Sequence, residues 1–106
     1  MKDKAGFIME KSYHEKIKIE NEQKLREMVK ELPRFCREFF LGTEHATSSR
    51  TRLAYAYDLG IFFSFLHENN PACHKYEITS IPISFLDMIT PLDIEEYLSY
   101  LKVYTK

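Results

Sequence analysis

The sequence predicts an all-α fold, and three observations carry that prediction. Only three Gly and four Pro occur in 106 residues, so there are few tight turns from which to build a many-stranded β structure. Apolar side chains recur at three- and four-residue spacing through most of the chain, the period of an amphipathic helix. Apolar residues make up 44%, with eight Phe and seven Tyr, enough to bury the core of one domain of this length.

Residues 1–20 are weakly patterned and mixed in charge. They read as an expression leader or a flexible lead-in, with the folded domain expected over residues 21–106. From Asn21 the pattern tightens: Leu25, Met28, Val29, Leu32, Phe35, Cys36, Phe39 and Phe40 fall on helical spacing. Pro33 interrupts this run, because proline lacks the amide donor and disfavours helical geometry at Leu32. Two short helices, with Pro33 in the first turn of the second, are preferred to one kinked helix. Gly42 supplies the stop.

A polar loop follows, and Ser48 is placed to cap the next helix through its hydroxyl. That helix is expected over residues 49–67. Tyr55, Leu59, Phe62, Phe63 and Leu66 form one stripe, while Leu53, Ala54, Tyr57, Ile61 and Phe65 cover much of the other side. A helix this apolar must be enclosed, so it is expected to be central, with only its first two turns in water. Asn69-Asn70-Pro71 ends it. Residues 68–89 are the least regular, with a short extended piece at 78–83 and a helical turn near 83–89. Thr90 caps a last helix through Pro91, Asp93, Glu95 and Glu96, which suit the first turn and its dipole. Ile94, Tyr97, Leu98 and Leu101 are its expected buried face.

Several function classes find no support. No stretch approaches the roughly 18–20 apolar residues of a membrane span, and the N-terminus has no hydrophobic signal core, so a cytoplasmic protein is expected. Cys36 and Cys73 are too few for a disulfide framework. There is no phosphate-binding glycine loop, metal-spaced Cys/His set or nucleophile elbow. Cys73-His74 is an adjacent pair at no ligand spacing, and Glu95-Glu96 suits a helix start better than acid–base chemistry. The chain is expected to hold no cofactor and no metal, and not to be an enzyme by itself.

Net charge is −1, which does not by itself indicate nucleic acid. Local placement is more informative. Between Glu44 and Asp58 there is no acidic residue, while Thr47, Ser48, Ser49, Arg50, Thr51 and Arg52 crowd a helix start. First-turn amides bind anions, arginine makes bidentate phosphate or guanine contacts, and hydroxyls donate to phosphate. Such a tip can enter a major groove; an ordinary capped helix with solvated arginines explains the same residues. A second basic row, Arg26, Lys30, Arg34 and Arg37, shares a face if the chain stays roughly helical. Glu22, Glu27, Glu31 and Glu38 are interleaved and can pair with it, the solvated reading being favoured for Arg26 and Lys30.

The run Ser48-x-x-Thr51-x-x-x-Tyr55-x-x-Asp58-Leu59-x-x-Phe62-x-x-Phe65-Leu66 resembles the central helix of the SAM-like N-terminal, or core-binding, domain of phage integrases and Xer-type tyrosine recombinases. Residues 89–101, with Thr90, Asp93-Ile94 and Tyr97-Leu98, look like that domain's last helix. Leu32-Pro33 with Phe35, Phe39, Phe40 and Leu41 is similar to its opening helix. Together these cover about residues 25–103 in order. The resemblance implies a small four- to five-helix SAM-like orthogonal bundle that clamps one face of a recombination half-site on double-stranded DNA. It implies contact roles for Thr47, Ser49, Arg50, Thr51, Arg52 and Tyr55, with Tyr55 equally placed for the core, and core roles for Leu59, Phe62, Phe65 and Leu66; Arg34 and Arg37 join the contact set from the spacing of the second basic row. Other recombinase subunits would be partners of the intact protein. The family's catalytic arginines, histidine and nucleophilic tyrosine lie in a second domain, and nothing in this chain supplies them. The segment 68–88 is longer than usual for the family. Two rivals stand beside this reading: a helical protein–protein interaction module, and a helix-turn-helix regulator, for which residues 43–49 make a poor turn.

Overall fold

In a computed structural model the backbone is described for residues 2–104 and side chains for residues 13–103. Five α-helices, α1 (Lys2–Lys30), α2 (Cys36–Gly42), α3 (Ser49–Asn69), α4 (Pro71–His74) and α5 (Pro91–Tyr104), are joined with two 3-10 helices, Ile78–Ser80 and Ile83–Met88. No strand occurs among the described residues, and the all-α expectation holds.

The break at Pro33 does separate two helices, but Pro33 lies in the link and not in the first turn of α2. The amides of Glu31 and Leu32 close the end of α1 on the carbonyls of Met28 and Val29, and the Cys36 amide bonds to Pro33 O at 2.9 Å. Proline donates nothing, so the chain turns around its buried ring instead of running through it. The larger departure is at the other end of α1. Where a lead-in was expected over residues 1–20, α1 is continuous from Lys2 to Lys30. Residues 13–20 are exposed on all sides, so this stretch carries no apolar stripe, and opposite charges at helical spacing, Glu15 with Lys18 and Lys16 with Glu20, favour the helix instead. The radius of gyration, 18.0 Å, accordingly exceeds the roughly 13 Å of a compact 100-residue domain.

Helix α3 is the central element: it packs on α1, on α4 and on the turn at Ile78–Ser80. Its start is capped as expected, with Ser48 extended (ψ 159°) and its Oγ accepting from the Thr51 amide at 3.1 Å. Ala56, Phe63, Phe65 and Leu66 are buried, with Leu25, Leu32, Cys36 and Phe40 against them. Edge-to-face pairs such as Phe35–Phe63, with centroids 5.9 Å apart, fill the space between helices. Tyr55 and Phe39, both on apolar stripes in the sequence, lie at the edge of the core, each at least 40% exposed and packed on the other.

The segment after α3 is irregular but anchored. Cys73, Ile81 and Phe85 are fully inside. The stretch expected to be extended is a 3-10 turn followed by Ile81 in an open conformation. Burial pushes the Cys36 thiol up to about 11 and raises Cys73 in the same direction. Both are free cysteines, and buried neutral thiols are inert.

The cap of α5 is reciprocal: the Asp93 amide donates to Thr90 Oγ1 at 3.2 Å, and the Thr90 amide donates to Asp93 Oδ2 at 2.9 Å. Of the four residues expected on its inner face, Tyr97 and Leu101 are half-buried, and Tyr100 joins them in place of Ile94 and Leu98. Tyr97 and Tyr100 dock on Phe62 and Phe65, with centroids 4.8–5.4 Å apart, while Leu98 is 51% exposed and Ile94 is also open. Burial, with Asp58 and Tyr100 nearby, raises the Tyr97 phenol above its usual range. No described helix is long and apolar enough to cross a membrane.

Candidate functional site

The eight residues singled out from the sequence do not form one surface. They divide between the two flanks of the α1–α3 pair. Arg52 is the clearest correction. It is 4% exposed, and its Nη2 and Nη1 donate to Glu22 Oε1 and Oε2 at 2.9 and 3.3 Å. This end-on bidentate ion pair joins α3 to α1 and commits both terminal nitrogens of Arg52, leaving only its Nε without an acceptor among the described residues. Ser49 is likewise buried.

The hydroxyls of the tip are largely occupied locally. Thr47 Oγ1 donates to Thr43 O at 3.0 Å, and Ser48 Oγ donates to Thr51 Oγ1 at 3.0 Å. The protons of Thr47 and Ser48 are thereby committed, while Thr51 Oγ1 serves as an acceptor. Arg50 is exposed and lies in a shallow groove of about 760 Å³ beside Glu20, Lys24, Glu27 and Asp58. Three carboxylates against two cations leave that flank mildly negative. Tyr55 presents its ring edge beside Phe39.

The other flank is different in kind. A groove of about 770 Å³ runs between α1, the link and α2. Arg26 and Lys30 come from α1, Arg34 from the link, Arg37 from α2, and Arg52 closes it from α3. Two carboxylates share it: Glu22, held by Arg52, and Glu44. Leu25, Val29, Leu32 and Phe40 give it an apolar floor. Lys30 pairs with Glu27 at 3.2 Å across the exposed face of α1, where such pairs contribute little. Arg26, Arg34 and Arg37 make no ion pair among the described residues, so of the four interleaved glutamates only Glu22 and Glu27 hold cations.

Local backbone geometry fixes this arrangement. The Arg37 amide bonds to Arg34 O at 3.2 Å, and the Arg34 amide donates to Thr79 O at 3.1 Å. One tight turn thus carries both arginines, tied to the irregular segment behind it. The row expected only for an unbroken helix is brought together by a broken one. What sequence reasoning missed was Glu22 as the partner of Arg52; a contact across 30 positions leaves no local signal.

Among the described residues no three His, Cys, Asp or Glu side chains converge as metal ligands. His67 and His74 are neighbours, with His74 Nδ1 2.9 Å from His67 O and rings 5.3 Å apart, but nothing else joins them. The chemistry open to the cationic groove is binding of anionic oxygen by guanidinium. Compared with known proteins, the chain matches no family model, no curated protein and no solved structure.

Proposed function

We propose that this chain is a helical, non-catalytic DNA-binding domain that grips a recombination site, the role of the core-binding domain in tyrosine site-specific recombinases. The observation that carries the reading is the flank on which Arg26, Arg34 and Arg37 stand exposed, without carboxylate partners among the described residues, along a groove of about 770 Å³. Arginine in this setting neutralises backbone phosphates and releases counterions. Net charge near zero does not oppose it, because the charges are segregated between flanks. Arg50, Thr51 and Tyr55, at the exposed start of α3, would make a second, weaker set of contacts. Arg52 acts behind this surface. Strand cleavage would belong to a separate catalytic domain.

The test is duplex binding by fluorescence anisotropy across a salt series. Wild type should bind at low salt, with a linear fall of log affinity against log salt. Arg34→Ala/Arg37→Ala should reduce that slope by about 2, since each lost phosphate contact removes about 0.9. Absence of any affinity at low salt overturns the reading.

A second reading has its own observation. Ile83, Met88, Leu92, Leu98 and Val103 expose apolar surface on and before α5, more than scattered single residues require. A helical protein–protein interaction module would use that face, and a chain that ignored duplex DNA would be assigned to it.

A further inference from the structure

We infer that the groove between α1 and α2 contains a discrete site for a phosphate-type oxyanion, with Arg34 and Arg37 at its rim and the Arg52 guanidinium in its wall. This deepens the DNA reading and rests on the same flank.

The argument starts from Arg52. Glu22 takes the two terminal nitrogens, which leaves the side edge of the guanidinium. On that edge the Nε–H is buried and has no acceptor among the described residues. Buried donors without acceptors are rare, because the desolvation they suffer is not returned. The neighbouring groove cations cannot help: Arg26, Lys30, Arg34 and Arg37 offer donors only. Glu44, the remaining carboxylate, is exposed and makes no bond to Arg52. No described side chain supplies this acceptor, and the surrounding guanidiniums favour an anionic one.

The rim is arranged to meet it. Arg34 and Arg37 project from one hydrogen-bonded turn whose backbone is pinned to Thr79, so little backbone ordering is needed on binding. Three guanidiniums from the link, α2 and α3 would then surround one tetrahedral group, and Glu22 would hold the innermost of them in place. Two sources share this chemistry: free inorganic phosphate and a phosphodiester of the DNA backbone.

The experiment uses the whole chain with ¹⁵N-labelled arginine and follows the Arg52 Nε–H resonance. Inorganic phosphate is titrated against chloride at matched ionic strength, and then a DNA duplex is added. Phosphate, but not chloride, should shift this resonance and slow its exchange with water. Arg34→Ala/Arg37→Ala should weaken the phosphate response about tenfold or more, as expected for lost charge-assisted bonds. Lys24→Ala, on the opposite flank, should leave it unchanged. A duplex that moves the same resonance identifies the backbone phosphodiester as a source. If phosphate moves it and duplex does not bind, the site stands and the DNA reading falls. If duplex binds with its Arg34/Arg37-dependent salt slope while neither ligand touches the Arg52 signal, the site is overturned and the DNA reading survives.

Discussion

The two flanks of the α1–α3 pair share those two helices, yet they do opposite things with their charges. On one, Glu20, Lys24, Glu27, Arg50 and Asp58 face water in near balance. On the other, Arg52 holds Glu22 in a partly buried pair, and Arg26, Arg34 and Arg37 stand without an ion-pair partner among the described residues, with Glu44 as the further carboxylate of that groove. The difference lies in depth more than in composition. A buried pair converts one glutamate from a surface neutraliser into a structural part, and so exposes the positive character of its surroundings.

That contrast can be broken most forcefully at Glu22. Glu22→Ala leaves an arginine at 4% exposure without its counter-charge and should destabilise the chain by about 3 kcal/mol in urea unfolding, the low end for a buried pair because Glu22 is partly open to water. Glu22→Gln keeps an acceptor and should cost less. On the mixed flank, Glu27→Ala should change stability by less than about 0.5 kcal/mol; equal losses at Glu22 and Glu27 would erase the distinction. Ser48→Ala removes the α3 cap next to both flanks and should cost about 1 kcal/mol by the same assay. The smallest expected effect is the most diagnostic for binding. In Arg34→Ala/Arg37→Ala, Cys36 should stay as unreactive toward a thiol reagent at pH 8 as in wild type, because burial pushes its ionisation up to about 11. Rapid labelling would mean that the double variant had loosened α2 rather than lost a phosphate contact.

The parts of this molecule that were legible in its sequence are those decided locally. The Ser48 cap, the Thr90–Asp93 cap, the break near Pro33 and the end of α3 before Asn70 each depend on a few adjacent residues, and each occurs where the residue types place it. Residues 1–20 were misjudged because an apolar stripe marks a buried helix, and this part of α1 is helical without one. On α5 the expected Tyr97 does face inward, but Tyr100 takes the place beside it that was expected of Leu98. The rings of Tyr97 and Tyr100 offer more area to Phe62 and Phe65 than Leu98 would, while keeping their hydroxyls near water. For the candidate site, residue type was readable and depth was not. Arg50 and Arg52 are two positions apart and differ completely in surroundings, a consequence of which side of α3 meets α1.

Asn70 turns a corner single-handed. Its amide proton ends α3 on Leu66 O at 2.8 Å, its side-chain oxygen receives the Ala72 amide at 3.0 Å, and its carbonyl accepts from Cys73 and His74. With one residue serving as both the last bracket of one helix and the first of the next, the length of α3 acts as a ruler for everything downstream. Adding a single residue before Asn70 would swing the departing chain by about 100° around the α3 axis and carry Cys73 away from the interior. The spacing between the tip of α3 and this corner is therefore expected to tolerate substitution far better than insertion.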